Sequence, residues 1–150
     1  ITTGKVIDFG IKDSMNMGAC MAPAAAEVIA QNLHDLGVKP DYYDKIITGD
    51  LGKVGKDIVL DYLKAKGFDI SKQYMDCGIE IYGEEQQVHA GGSGCGCSAV
   101  MLTGYILKML EKKKWHRILF VPTGALLSQV SYNEGNSVPG TAHAVILTSC

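Results

Sequence analysis

The sequence predicts an α/β fold, a mixed five-stranded sheet in the order β-α-β-α-β-α-β-β with a buried central helix. Two observations carry this. Short apolar runs at 6–11, 44–48, 73–77, 117–122 and 141–148 are separated, up to the last two, by helix-length segments. The helices also differ in kind. Residues 56–66 alternate apolar and charged positions, whereas 99–110 (AVMLTGYILKML) is apolar almost all the way round. A helix without a polar face needs packing partners on several sides, so this one is expected at the centre of a domain.

Each element has its own signal. Val6–Ile11 reads as a strand interrupted by Asp8. An Ala-rich segment from Met17 to Leu36 follows and ends at Gly37; Pro23 fits a helix there only in its first turn, so the helix proper is expected to begin near Ala22 or to kink at that point. Asp44–Thr48 is a strand entering the turn Gly49-Asp50-Leu51-Gly52. The surface helix 56–66 places Ile58, Val59, Tyr62 and Leu63 inward and stops at Gly67. Gln73–Cys77 is the third strand, and 79–88 suggests a hairpin around Gly83. Arg117–Pro122 leads into Thr123-Gly124-Ala125, and Thr141–Thr148 closes the sheet.

One hundred and fifty residues suit a single domain, 1–150. A formal net charge of −2 gives no electrostatic footprint for nucleic acid. Lys108, Lys112, Lys113, Lys114 and Arg117 cluster where cations favour the C-terminal end of the central helix. No apolar run approaches the ~20 residues that span a bilayer. The chain starts at Ile1 without a signal-peptide pattern, so it is expected to begin inside a longer polypeptide. Five cysteines make no disulfide framework and suit a reducing compartment. Cys95-Gly96-Cys97 with His89 and Cys77 lacks the paired spacing of a structural zinc site, so no metal is expected.

Residues 89–98 (HAGGSGCGCS) form a glycine loop opening the central helix. Its amides, at Gly92, Ser93, Gly94 and Cys95, are expected to meet an anion or a carbonyl, with Gly91 and Gly92 keeping side chains out of the way. Thr48 and Asp50 lie at the C-terminal end of a strand, where ligands of α/β folds gather; Asp50 also suits a turn or cap. A Cys95 nucleophile with His89 as base is a competing reading.

The runs KDSMNMGACMAPAAAE (12–27), PDYYDKIITGDLGKVG (40–55), VHAGGSGCGCSAV (88–100), TGALLS (123–128) and PGTAHAV (139–145) carry a resemblance. The chain resembles the C-terminal half of thiolase-like, ketoacyl-synthase III-like proteins. Within that superfamily it looks most like the stage V sporulation proteins of spore-forming bacteria that load dipicolinic acid (pyridine-2,6-dicarboxylate) into the developing spore. The resemblance implies a thiolase-like half-domain at 1–150, partnered by its own N-terminal half, which lies outside this chain. It also implies other stage V proteins of the same operon as partners at the spore inner membrane, a peripheral location there, and a homodimer.

Two departures decide what kind of protein the resemblance implies. Active members of the superfamily place a histidine where this chain has Thr48-Gly49-Asp50, and an asparagine where it has Ser93. Without imidazole and carboxamide, nothing obvious stabilises an enolate or activates an acyl donor. The resemblance therefore implies no catalytic residue and no cofactor, with calcium entering only as the counter-ion of dipicolinate. The implied pocket holds Gly92, Ser93, Gly94, Cys95, Thr48, Asp50, Asn16, Gly124 and Ser128, with Met15 and Met17 on its apolar wall. A thiolase-type acyltransferase and a scaffold of the spore membrane complex remain the alternatives.

Overall fold

The first eleven residues make two isolated β-bridges, Thr2 to Ala144 and Ile7 to Gly140, and Ile11 O accepts the Val138 amide at 2.8 Å, in the computed structural model, which describes residues 1–150. The strand expected at 6–11 does not form. Asp8 explains why: its carboxylate accepts the Gly10 amide at 2.8 Å, and Gly10 turns to φ +75°. A side chain that bonds its own backbone two residues on makes a turn, and the ladder stops there.

The first regular element is helix α1 (Met17–Leu36), capped by the Asn16 side chain, which accepts the Ala19 amide at 3.3 Å. It spans the whole Ala-rich segment from Met17 to Leu36, with Pro23 inside it and not in its first turn. Gly37 ends it in the left-handed conformation. Strand β1 (Lys45–Thr48), helix α2 (Gly52–Ala65) and strand β2 (Tyr74–Asp76) follow. The hairpin expected at 79–88 is instead a short helix, α3 (Cys77–Glu80), and a 3-10 turn at Glu84–Gln86. Asp76 caps α3, and Gly83 donates to the Gln86 side chain, so local hydrogen bonds win over strand pairing.

Helix α4 (Cys97–Met101), a π-helical turn (Leu102–Ile106) and helix α5 (Leu107–Glu111) run on without a break. Strands β3 (Arg117–Val121) and β4 (Thr123–Ala125), helix α6 (Gln129–Asn133), and strands β5 (Gly140–Ala142) and β6 (Val145–Thr148) complete the chain. The main sheet has four strands in the order β2-β1-β3-β6, parallel except for β6. Strands β4 and β5 form a separate antiparallel pair. The single last strand read at 141–148 is therefore two strands in two sheets, divided at His143–Ala144, where Ala144 bridges back to Thr2.

Strand alternation explains why the sheet is covered twice. Ile46, Leu119 and Val121 face α1 and α2; Ile47, Ile118 and Phe120 face the helical run 97–111. Fully buried Ile29 and Leu33 each contribute roughly 1.5–3 kcal/mol to the first layer. The most thoroughly buried helix is α1, not the one that follows the glycine loop. The run 97–111 buries Met101, Ile106 and Leu110 on the sheet while Val100, Tyr105 and Leu107 face solvent, being 57%, 43% and 43% exposed.

Candidate functional site

Strand β2 delivers a carboxylate into the interior at its last residue. Asp76 is 1% exposed. Its Oδ1 accepts the Thr48 hydroxyl at 2.6 Å and the Leu51 amide at 3.1 Å; its Oδ2 accepts the amides of Gly52 at 3.0 Å and Ile79 at 3.2 Å. Burial raises the Asp76 carboxyl above its ordinary value, while these donors pull the other way. Because Thr48 donates to Asp76, its oxygen is left to accept from the Tyr74 hydroxyl at 2.8 Å. The chain Tyr74–Thr48–Asp76 fixes the backbone of the loop after β1 from below.

That loop presents a second carboxylate. Asp50 Oδ2 accepts the Ser93 hydroxyl at 3.0 Å and the Gly94 amide at 2.9 Å, while Oδ1 accepts the Thr123 hydroxyl at 3.2 Å. One side chain thus gathers the end of β1, the glycine loop and the start of β4. The loops also stack through backbone: Gly78 donates to Gly49 O at 3.0 Å, Gly92 to Gly78 O at 2.6 Å, and Lys53 to Ala90 O at 2.7 Å. At Gly52, φ is +64° and a Cβ would lie 2.6 Å from Ala90 O, so only glycine suits the start of α2.

Two depressions meet at Asp50, Ser93 and Met17. The inner one, about 350 Å³, is lined by Met21, Cys95, Ser98, Gly94, Thr123 and Gly124 as well. That volume lies at the small end of ligand pockets, ~300–1,000 Å³. The outer one, about 530 Å³, reaches Met15, Asn16, Val54 and Gly92. A third hollow, about 450 Å³, lies away from both, between residues 2–9 and α1, and shares no residue with them. There the Glu27 carboxylate is already satisfied by the Tyr62 hydroxyl and the Lys66 ammonium.

The structure brings Ser93, Gly94, Cys95, Asp50 and Gly124 together around the inner depression, and sets Asn16 and Gly92 on the outer one. Thr48 and Ser128 fall outside both: Thr48 is fully buried in the Asp76 cluster, and Ser128 caps α6 through Ser131. The glycine loop differs from the expected open cradle in two respects. The amides of Gly92 and Gly94 are already taken, by Gly78 O and by Asp50. A Cβ on Gly92 would strike Tyr82 and Ile81, and one on Gly91 would strike Gly78 O, so both glycines serve packing between chain segments. The amides of Cys95, Gly96 and Ser98 have no acceptor within the protein.

His89 and Cys95 line different hollows; His89 shares its own, of about 540 Å³, with Lys53 and Tyr82. The neighbouring thiol of Cys97 is pushed up to about 11 by burial, and that of Cys77 to about 12. No three His, Cys, Asp or Glu side chains converge as a metal centre would need. The sequence reading missed three contributors: Thr123, Ser98 and Asp76. Thr123 and Ser98 sit within motifs already singled out, and a hydroxyl beside a glycine loop was the available signal. Asp76 ends an apolar run at Tyr74-Met75-Asp76, but nothing local tells a buried clamp from a solvated cap.

The family model of stage V sporulation protein AD matches residues 1–148. Over 145 residues the chain is 48% identical to stage V sporulation protein AD of Bacillus subtilis (strain 168), covering 97% of this chain. It spans 43% of that relative's length.

Proposed function

The chain belongs to the stage V sporulation protein AD family, and on that premise we propose that it forms part of a non-catalytic, thiolase-like protein that binds dipicolinic acid for uptake into the developing spore. The inner depression carries this reading. It offers the unpaired amides of Cys95 and Ser98, the Ser98 hydroxyl and the thioether wall of Met17 and Met21, beside Ser93 and Thr123, whose hydroxyls already donate to Asp50. A flat, rigid dicarboxylate asks for donors at its rim and apolar contact on its faces. A non-catalytic role is supported by Cys95, the exposed thiol at the depression, which shares no hollow with an imidazole.

Asp50 decides the charge state of the ligand. Two like charges 4 Å apart near a protein surface repel by about 4 kcal/mol, against up to ~1–2 kcal/mol gained at a helix N-terminus. Free dipicolinate would lose that contest. In this reading it enters as its calcium salt, with the cation between the ligand and Asp50. The N-terminal half, the other proteins of the operon and the spore inner membrane are the proposed setting, with a homodimer as the assembly.

Titration calorimetry of the intact protein tests the reading. Dipicolinate with calcium is expected to give saturable heat that benzoate and phthalate do not, and Ser93→Tyr to abolish it without unfolding the protein. No saturable heat, or heat of equal size from all three acids, would overturn it.

A further inference from the structure

The hollow of about 540 Å³ that holds His89 meets the outer depression only at Gly91 and shares no residue with the inner one. Its walls come from two chain segments. Lys53, in the first turn of α2, and His89 belong to one, because the Lys53 amide donates to Ala90 O at 2.7 Å. Glu84 belongs to the other, the 3-10 turn, where the Glu85 carboxylate folds back over Gly83 so that a Cβ there would strike it. The Tyr82 ring lines the hollow too. It packs against Gly92, where a Cβ would strike it, yet the residue stays 43% exposed.

The polar groups around this hollow are unspent. The side chains of Lys53, Tyr82, Glu84, Gln87 and His89 make no hydrogen bond within the protein, and both ion pairs of the chain lie elsewhere, at His34–Asp35 and Lys66–Glu27. The hollow beside residues 2–9 is the contrast: there Glu27 is taken by Tyr62 and Lys66, and Gln31 by Asp35. The backbone adds a second observation. Three non-glycine residues of the chain adopt the left-handed conformation, and two of them, Gln87 and His89, both at φ 51°, line this hollow. L-residues are disfavoured there, and such residues gather where a ligand is clamped.

We propose that this hollow binds a free amino acid with an aromatic side chain. The lining has two poles, Lys53 with His89 on one segment and Glu84 with Glu85 on the other. A simple anion would gain at Lys53 and be repelled at Glu84, and a simple cation would meet the reverse. A zwitterion satisfies both. Its carboxylate meets the Lys53 ammonium and the His89 imidazole, its ammonium meets Glu84, and its ring stacks on Tyr82. The volume lies within the range of small-molecule pockets, ~300–1,000 Å³. The proposal does not rest on the Asp50–Ser93 site or on dipicolinate.

Titration calorimetry of the intact protein with phenylalanine, phenylalaninamide and N-acetylphenylalanine tests this. Phenylalanine is expected to bind about tenfold or more tightly than either blocked form, since each lacks one charge-assisted contact. Lys53→Gln is expected to weaken phenylalanine to the level of the amide and to leave the amide itself unchanged. Replacing Glu84 and Glu85 together by Gln is expected to do the same with respect to the N-acetyl form. All three residues are exposed, and circular dichroism checks that the variants keep the fold. No saturable heat from phenylalanine, equal affinity for the three compounds, or an equal loss of phenylalaninamide binding in Lys53→Gln would each overturn the proposal.

Discussion

The Asp50 carboxylate accepts the Ser93 hydroxyl at 3.0 Å, joining the end of β1 to a loop forty-three residues later at the mouth of the candidate site. The same oxygen holds the Gly94 amide. Asp50 therefore both builds the site and sets its charge.

Changing Asp50 to Asn separates those roles. The carboxamide oxygen can still accept from Ser93 or Gly94, but the negative charge is gone. If dipicolinate reaches this site, the variant is expected to bind it without calcium at least as well as wild type does with calcium. Asp50→Ala is expected to lose binding and cost about 1–3 kcal/mol of stability, because three donors lose their acceptor. Calorimetry with and without a chelator reads the first effect, and denaturant unfolding the second. A calcium requirement unchanged in Asp50→Asn would defeat the charge assignment.

The second carboxylate makes a pH prediction. Burial raises the Asp76 carboxyl above 3.8 in the folded protein. A carboxyl that holds its proton more tightly when folded adds stability below its unfolded value, and this contribution is lost as pH rises through the raised folded value. Asp44 works in the opposite sense, because the Arg117 amide holds its carboxyl below the ordinary value. The difference between wild type and Asp76→Asn removes that background. Wild type is expected to lose stability relative to the variant as pH climbs from about 3.8, while the variant is less stable overall by about 1–3 kcal/mol. Melting curves across that window check the sign; a gain relative to the variant would contradict it.

What the sequence made legible follows the range of each interaction. Strands β1, β2 and β3 and helix α2 were readable because their periodicity is local and their neighbours only reinforce it. The glycine loop was readable as a site, but not as one partly filled by Asp50, since that contact spans two elements. The Asp8 turn hid in an apolar run, and the division at His143–Ala144 hid in an unbroken alternation. The helical run 97–111 was expected to be enclosed, yet one apolar face is open. The chain spans 43% of its relative, and the missing-partner reading of that face belongs with the proposed N-terminal half.

The thiols report this packing directly. Cys95 and Cys150 are exposed, whereas Cys20, Cys77 and Cys97 are buried. Burial also raises the pKa of all three buried thiols, which lowers their thiolate fraction at neutral pH. Alkylation of the native protein followed by peptide mass spectrometry is expected to label Cys95 and Cys150 first, and the others only on unfolding. Early labelling of Cys97 would show that the N-terminal turn of α4 opens, and would undermine a preformed site.

Two glycines give opposite predictions from the same substitution. A Cβ on Gly78 would sit 2.3 Å from Gly92 O and 3.1 Å from both Asp50 Cα and Asp76 Oδ2, where the three site loops stack. None of those neighbours is the end of a flexible side chain on the surface, so the glycine loop must move. Gly78→Ala is expected to cost about 1–3 kcal/mol and to abolish ligand binding. Gly104 lies in the helical run with nothing within 4 Å of its Cβ position, so Gly104→Ala is expected to stabilise by about 0.5–1 kcal/mol by stiffening the unfolded chain. Thermal melts of the two variants, with calorimetry on Gly78→Ala, decide the matter. A neutral Gly78→Ala that still binds ligand would mean that the stacked backbone of 49, 78 and 92 does not shape the site.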